Sequence, residues 1–291
     1  MKRSYVLLHI AVVLAGFTGI FGKLITLNEG LLVWYRVFFS FIWLFFIVRL
    51  FKISTAITLT EKAGIAKTGM LITTHWVFFY GSIKYSNISI GVVCYSLTSF
   101  FTAIFEPVIN KKKFALSELL LSTLTLLGIA LIFHFDASYQ SGITLGVISA
   151  AFAALYTIYN ERLVNTYDSK LINYYQMIGG TAGLGLLMPL YLYYFPVEKL
   201  IPGLNDTIYL LLLSLFCTVG LYILFAESLK RIPAFTVNLT FNLEPIYAII
   251  IAFLFFDEGR QVNLSFYVGL FFVAASVILQ SLISRNKSLN N

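Results

Sequence analysis

Ten stretches of about 20 apolar residues follow one another along this chain, at roughly 5–27, 31–51, 65–83, 88–109, 114–134, 142–162, 169–195, 207–229, 234–256 and 263–284. A helix of that length just crosses the hydrocarbon of a bilayer. A β-barrel would show spans half as long with alternating polarity, so the expected fold is an all-α polytopic membrane protein. The connections are short, and the two longest, near 52–64 and 196–206, cannot hold a domain. Composition agrees: 59% of the residues are hydrophobic and 11% charged, with a mean hydropathy of +0.87, too apolar for a water-soluble globule. The first span follows Lys2 and Arg3 as a signal peptide would, but it is too long for one, and no A-x-A-like site follows. It is read as a retained helix.

The net charge of +7 reads as topology rather than nucleic-acid binding. Counting ends alternately, fifteen Lys and Arg fall on the amino-terminal side: Lys2, Arg3, Arg49, Lys52, Lys62, Lys67, Lys111, Lys112, Lys113, Arg162, Lys170, Lys230, Arg231, Arg285 and Lys287. Only Lys23, Lys84, Lys199 and Arg260 fall on the other, with Arg36 inside a span. Basic residues accumulate on the cytoplasmic side, so both termini of this multi-pass chain are expected in the cytoplasm.

The halves resemble each other. An offset of 146 places Phe79 on Phe225, Ser82 on Ser228, Lys84 on Lys230, Leu97 on Leu243 and Ile132 on Ile278. Upstream, an offset of 139 places Ala15 on Ala154, Thr18 on Thr157, Lys23 on Arg162 and Tyr35 on Tyr174. Each half, 1–136 and 137–291, holds five spans. Five is odd, so the second half enters the membrane upside down, the inverted repeat common among secondary transporters.

The stretches Phe79-Tyr80-Gly81-Ser82-Ile83-Lys84-Tyr85-Ser86 and Phe225-Ala226-Glu227-Ser228-Leu229-Lys230-Arg231-Ile232, with Leu243-Glu244-Pro245 and Phe256-Asp257-Glu258-Gly259, resemble the drug/metabolite transporter superfamily and its EamA-type members. The first half departs at Ser99, where the proline would stand, and at Lys112, where the Glu would stand. The resemblance implies transport of amino acids and similar metabolites across the cytoplasmic membrane without ATP, with efflux the expected direction. An intramembrane enzyme using Glu244 and His75 as acid and base, or a channel or scaffold, are the rivals.

Polar groups inside spans are costly, about 2.5–3.5 kcal/mol for a charge, and each is a candidate. Tyr95, Thr98, Ser99, Thr102 and Glu106 form one stripe along the fourth span. It either lines a cavity or binds helix to helix. Glu106 lies near the cytoplasmic end, as a gate or an ion-pair partner of a nearby Lys. The ninth span carries Asn238, Thr240, Asn242 and Glu244, with Glu244 at the midplane beside Pro245, which removes a backbone donor. Such a carboxylate suits a coupling proton, an ion or a substrate amine. Arg36 either meets a substrate carboxylate or snorkels outward. His75 is placed to carry a proton, with Trp76 and Tyr80 on a nearby face. Gly179-x-x-x-Gly183 permits close helix contact.

No G-x-x-x-x-G-K-[ST], H-E-x-x-H or G-x-S-x-G occurs, and two Cys with three scattered His give no metal-ligand spacing. No ATP-driven pump, hydrolase, cofactor or metal is expected. The expected partners are a small-molecule cargo, membrane lipid, a coupling proton or ion, and, as an option, a second copy in a homodimer. The charge count predicts that reporters fused after Lys113 and Arg285 read cytoplasmic and one after Asp136 reads external; an external reading at Lys113 breaks the span assignment.

Overall fold

The computed structural model describes residues 2–133, 139–244, 246–247 and part of 267–282. The described elements are all helical: α1 (Lys2–Leu24), α2 (Glu29–Leu50), α3 (Leu59–Lys84), α4 (Ile88–Tyr95), α5 (Leu97–Asn110), α6 (Leu116–Phe133), α7 (Gln140–Leu163), α8 (Ser169–Tyr194), α9 (Leu204–Ser214), a π-helical turn (Leu215–Gly220), α10 (Leu221–Leu229) and α11 (Ala234–Phe241). Five continuous stretches are long and apolar enough to cross a membrane by themselves: Arg3–Leu24, Glu29–Leu50, Ile88–Asn110, Gln140–Leu163 and Leu204–Leu229. Together with the helices between them they make an all-α polytopic membrane protein. Pro245, Asp136, Arg260 and about half of the last two expected spans lie outside the described residues.

Polar residues in the connections start the helices. The Asn28 side chain accepts from the Leu31 amide, Asn87 from Ile90 and Asp168 from Lys170, each covering one of the donors that a helix start leaves unpaired. Thr58 and Glu61 form a reciprocal capping box at α3. The Thr58 hydroxyl, and then its amide, hold the exposed Glu61 carboxyl below the usual range.

The halves interlock reciprocally. α3 packs on α7 and α8, while α9, the π-turn and α10 pack on α1 and α2. The third span of each half thus lies against the first two of the other. The α3–α8 crossing is close: a Cβ on Gly69 would overlap the Gln176 carbonyl, and one on Gly179 the Ala66 carbonyl. Small residues let the backbones approach where lipid offers no hydrophobic drive between helices.

The fourth span is broken in both halves. α4 ends at Tyr95 and α11 at Phe241, positions separated by the offset of 146 seen in the sequence. Both breaks tighten in the same way: the Ser96 amide bonds Val93 O at 3.0 Å, and the Asn242 amide bonds Leu239 O at 3.1 Å. In the first half, with no proline, the Thr98 hydroxyl donates to Tyr95 O at 2.6 Å and the Ser99 hydroxyl to Ser96 O at 3.1 Å. Such back-bonding competes with the backbone ladder and bends helices.

Side-chain bonds sort the connections into two ends. At one, Asp206 accepts the Thr26 amide at 2.9 Å and hydroxyl at 2.6 Å, Lys84 donates to Ile25 O at 3.2 Å, and Tyr191 donates to Glu29 at 2.8 Å. At the other, Tyr167 donates to Glu61 at 2.9 Å, Ser169 to Glu227 at 2.6 Å, and Arg162 to Asn110. The first is the sparsely charged end of the sequence count and the second the basic end.

Gly179→Leu should force α3 from α8 and lower stability by about 1–3 kcal/mol or more, read as thermal unfolding in detergent. Gly64, on α3, has nothing within 4 Å of an added Cβ. Gly64→Leu should therefore stay within about 0.5 kcal/mol of the parent; equal losses would contradict the crossing.

Candidate functional site

The most demanding group in the bilayer region is Arg36. It projects from α2 and is fully buried, so it does not snorkel. Its Nε donates to the Thr218 hydroxyl at 2.8 Å, Nη1 to the Tyr80 hydroxyl at 2.8 Å and Nη2 to the Cys217 carbonyl at 2.9 Å. The guanidinium carbon lies 3.9 Å from the centre of the Trp76 ring, a cation–π contact worth about 2 kcal/mol when desolvated.

The π-turn makes this possible. A regular helix spends its carbonyls on its own ladder, whereas a π-bulge widens the turn and is often found at functional sites. Here the Cys217 carbonyl takes Arg36, and the Thr218 hydroxyl donates to Leu213 O at 3.1 Å while accepting from Arg36. Three of the five guanidinium N–H groups are thereby engaged, and two remain.

Arg36 borders an enclosed cavity of about 20 Å³, room for about one water. Glu244 and His75 are the other ionisable members of its wall besides Tyr95 and Tyr222; Thr18, Trp76, Phe79 and Phe241 complete most of the surface. No described carboxylate is within ion-pair distance of Arg36, so Arg36 and Glu244 share the space without bonding each other. His75 Nδ1 is 3.1 Å from Ser149 O, a pure acceptor, and the Ser149 hydroxyl is 3.1 Å from His75 O. The Ser149 hydroxyl is also 2.8 Å from Nδ1, so Nδ1 can donate to the carbonyl or accept from the hydroxyl. The His75 ring also lies 5.2 Å from Tyr95.

Of the residues selected from the sequence, Arg36, His75, Trp76, Tyr95 and Glu244 therefore meet around one cavity, with Tyr80 behind Arg36. The rest of the fourth-span stripe lies elsewhere. Asn238 donates to Thr102 at 2.8 Å, Asn242 to Ser99 at 3.2 Å, and Thr157 to Asn238 at 3.0 Å. Thr98 donates to Tyr95 O at the end of α4, and Thr240 to Thr236 O within α11. These groups form a polar seam joining α5, α11 and α7, each bond worth about 0.6 kcal/mol by the average for such contacts. Glu106 takes the Lys112 ammonium at 2.9 Å near the basic end. The hydrogen bond that it donates to Glu106 holds Lys112, which lies beyond the span, above its ordinary pKa.

Sequence reasoning passed over Thr218, Tyr222, Phe241 and Thr18. For Thr18 a signal existed: it pairs with Thr157 across the repeat, and Thr18 lines the cavity while Thr157 lines the void next to it.

Apolar spans, broken helices and a cavity bordered by buried ionisable groups between interlocked halves define an integral membrane protein with a candidate site at its centre. The description "EamA-like transporter family" matches the chain twice, over residues 2–134 and 140–282, and the chain belongs to that family. An "uncharacterized transporter" of Clostridium kluyveri is 24% identical over 218 residues, 72% of this chain and 68% of that one. Another, of Haemophilus influenzae, is 25% identical over 272 residues, 88% of this chain and 86% of that one. A solved structure titled only "Crystal structure of protein" shares the fold, with a TM-score of 0.75 at 11% identity over 98% of this chain and 99% of that one. The protein is a membrane transporter with a small-molecule substrate, and the family and relatives point away from an enzyme.

Proposed function

We propose that this chain carries small zwitterionic metabolites, amino acids first, across the cytoplasmic membrane by alternating access. One observation carries the reading: a guanidinium and a carboxylate, Arg36 and Glu244, border one enclosed cavity without pairing. A ligand carboxylate can take the two remaining Arg36 N–H groups, bidentate and charge-assisted. A ligand ammonium can take Glu244. Each buried charge then gains a partner in a site where an unpaired charge costs several kcal/mol. When cargo is absent, Glu244 accepts a coupling proton and removes the cost of the bare carboxylate, and His75 stands on the same wall.

Room for about one water cannot hold an amino acid, so the walls must move apart to admit cargo. The matched breaks at Ser96 and Asn242 and the reciprocal packing support two five-helix halves, 1–136 and 137–291, as the moving bodies. Seven residues of the basic end, Lys111, Lys112, Lys113, Arg162, Lys170, Lys230 and Arg231, favour the cytoplasm there. Both termini then lie inside, and the bacterial relatives favour the inner membrane. Efflux is the direction that the family resemblance supports.

Reconstituted protein tests this. Glu244→Gln is nearly isosteric and should keep the fold, lower amino-acid counterflow at least tenfold and flatten its pH dependence. Thr98→Val, which removes a hydroxyl bonded to Tyr95 O, should cost far less, consistent with one hydroxyl worth about 0.5–1.5 kcal/mol. Normal flux in Glu244→Gln across the pH range, with flux abolished by Thr98→Val, would move the site to the first half's stripe.

A further inference from the structure

Three spaces lie in file through the described residues. The central cavity shares Tyr95, Leu221, Tyr222 and Phe241 with a second void of about 10 Å³, also bordered by Thr157 and Phe225. At the basic end an open vestibule of about 590 Å³ is bordered by Glu161, Leu229, Lys230 and Pro233. The linings continue along single helix faces. On α7, Thr157 borders the void and Glu161 the vestibule, four residues on. On α10, Leu221 borders the cavity, Phe225 the void and Leu229 the vestibule. Residues four apart share a face, and each such step advances about 6 Å along the axis. The spaces are therefore stacked along the direction of the helices, toward one side of the membrane.

We infer that cargo passes between the central cavity and the basic end along this face of α7, α10 and α11, and that Phe225 with Phe241 is the barrier across it. The inference rests on the reading of the cavity as the cargo site. The Phe225 ring meets Phe241 edge-on at 5.6 Å and stacks on Tyr156 at 6.0 Å. Phe241 in turn meets Tyr95 at 6.4 Å, so the wall between cavity and vestibule is a layer of rings. The charged groups stand on either side of it, Arg36 and Glu244 in the cavity and Glu161 and Lys230 in the vestibule. A polar solute cannot pass a closed aromatic layer without stranding its hydrogen bonds, which is what a gate requires. At the opposite end Asp206 on Thr26 and Tyr191 on Glu29 join the halves, and Lys84 on Ile25 ties two segments of the first half. Hydrogen bonds join the halves at both ends, Asp206 to Thr26 and Tyr191 to Glu29 at one and Tyr167 to Glu61 and Arg162 to Asn110 at the other, and on the basic side a layer of rings, which rotamer changes can part, stands between the cavity and an open vestibule.

Leu221→Cys reports on the cavity in a background with Cys94 and Cys217 replaced by Ala; the Cys217 carbonyl that holds Arg36 is retained. Arg231→Cys, in the vestibule, identifies independently which membrane face the vestibule opens to. A charged, impermeant thiosulfonate reagent is applied from each face of oriented vesicles. Phe225→Ala should raise Leu221→Cys labelling at least tenfold from the face that labels Arg231→Cys, and not from the other. Phe225→Val, a milder truncation that fits if the Ala variant folds poorly, should raise it less and from the same face. An unchanged rate in both folded variants, or a rise from the opposite face, overturns the route. Labelling needs no cargo, so a failure here leaves the zwitterion reading standing, and a failure of that reading leaves the route standing.

Discussion

A guanidinium buried in the bilayer dictates much of this architecture. Arg36 cannot lose its charge and cannot be left without acceptors at that depth. It therefore needs a widened turn to expose the Cys217 carbonyl, a hydroxyl at Thr218, a phenol at Tyr80 and a ring face at Trp76. These come from two spans other than its own, so satisfying one side chain fixes α2 and α3 of the first half against the α9–α10 span of the second. The π-turn has no counterpart at the equivalent place in α3, which runs as regular helix through Gly69–Thr74. The two halves share a plan, and the charge breaks the symmetry where the cavity forms.

The same plan accounts for the broken fourth spans. One sequence places a proline after the break, at Pro245, and the other places Ser99 there. Thr98 and Ser99 reach back to carbonyls that the ladder would use, and the chain turns at the corresponding residue. Different side chains thus produce one backbone feature. Beyond the break, α5 and α11 meet through Ser99, Thr102, Asn238 and Asn242, and the cavity is left to the aromatic residues and the three ionisable groups above it.

The spans were legible because apolar runs of 20 residues have few alternatives, and the capping residues Asn28, Thr58, Asn87 and Asp168 mark where helices begin. The ionisable members of the cavity were legible because their cost singles them out. The polar stripe was legible as a stripe, but periodicity tells only that a face avoids lipid, not whether it meets water or another helix. The fate of Arg36 was open for a similar reason: burial or snorkelling depends on acceptors 182 residues away in sequence. The π-turn left no trace in composition, since Leu215–Gly220 reads as one more apolar stretch. Phe225 and Phe241 were hidden among 28 phenylalanines, and their role follows only from which spaces they separate.

The account depends on two opposite charges reading one ligand. Titration calorimetry of the purified protein, with a neutral amino acid and with its decarboxylated amine and deaminated acid carrying the same side chain, measures this directly. The zwitterion should bind at least tenfold more tightly than either fragment, because only it gives both Arg36 and Glu244 a partner. Equal affinity for the amine or the acid would contradict the pairing and leave one of the two charges without a role in recognition.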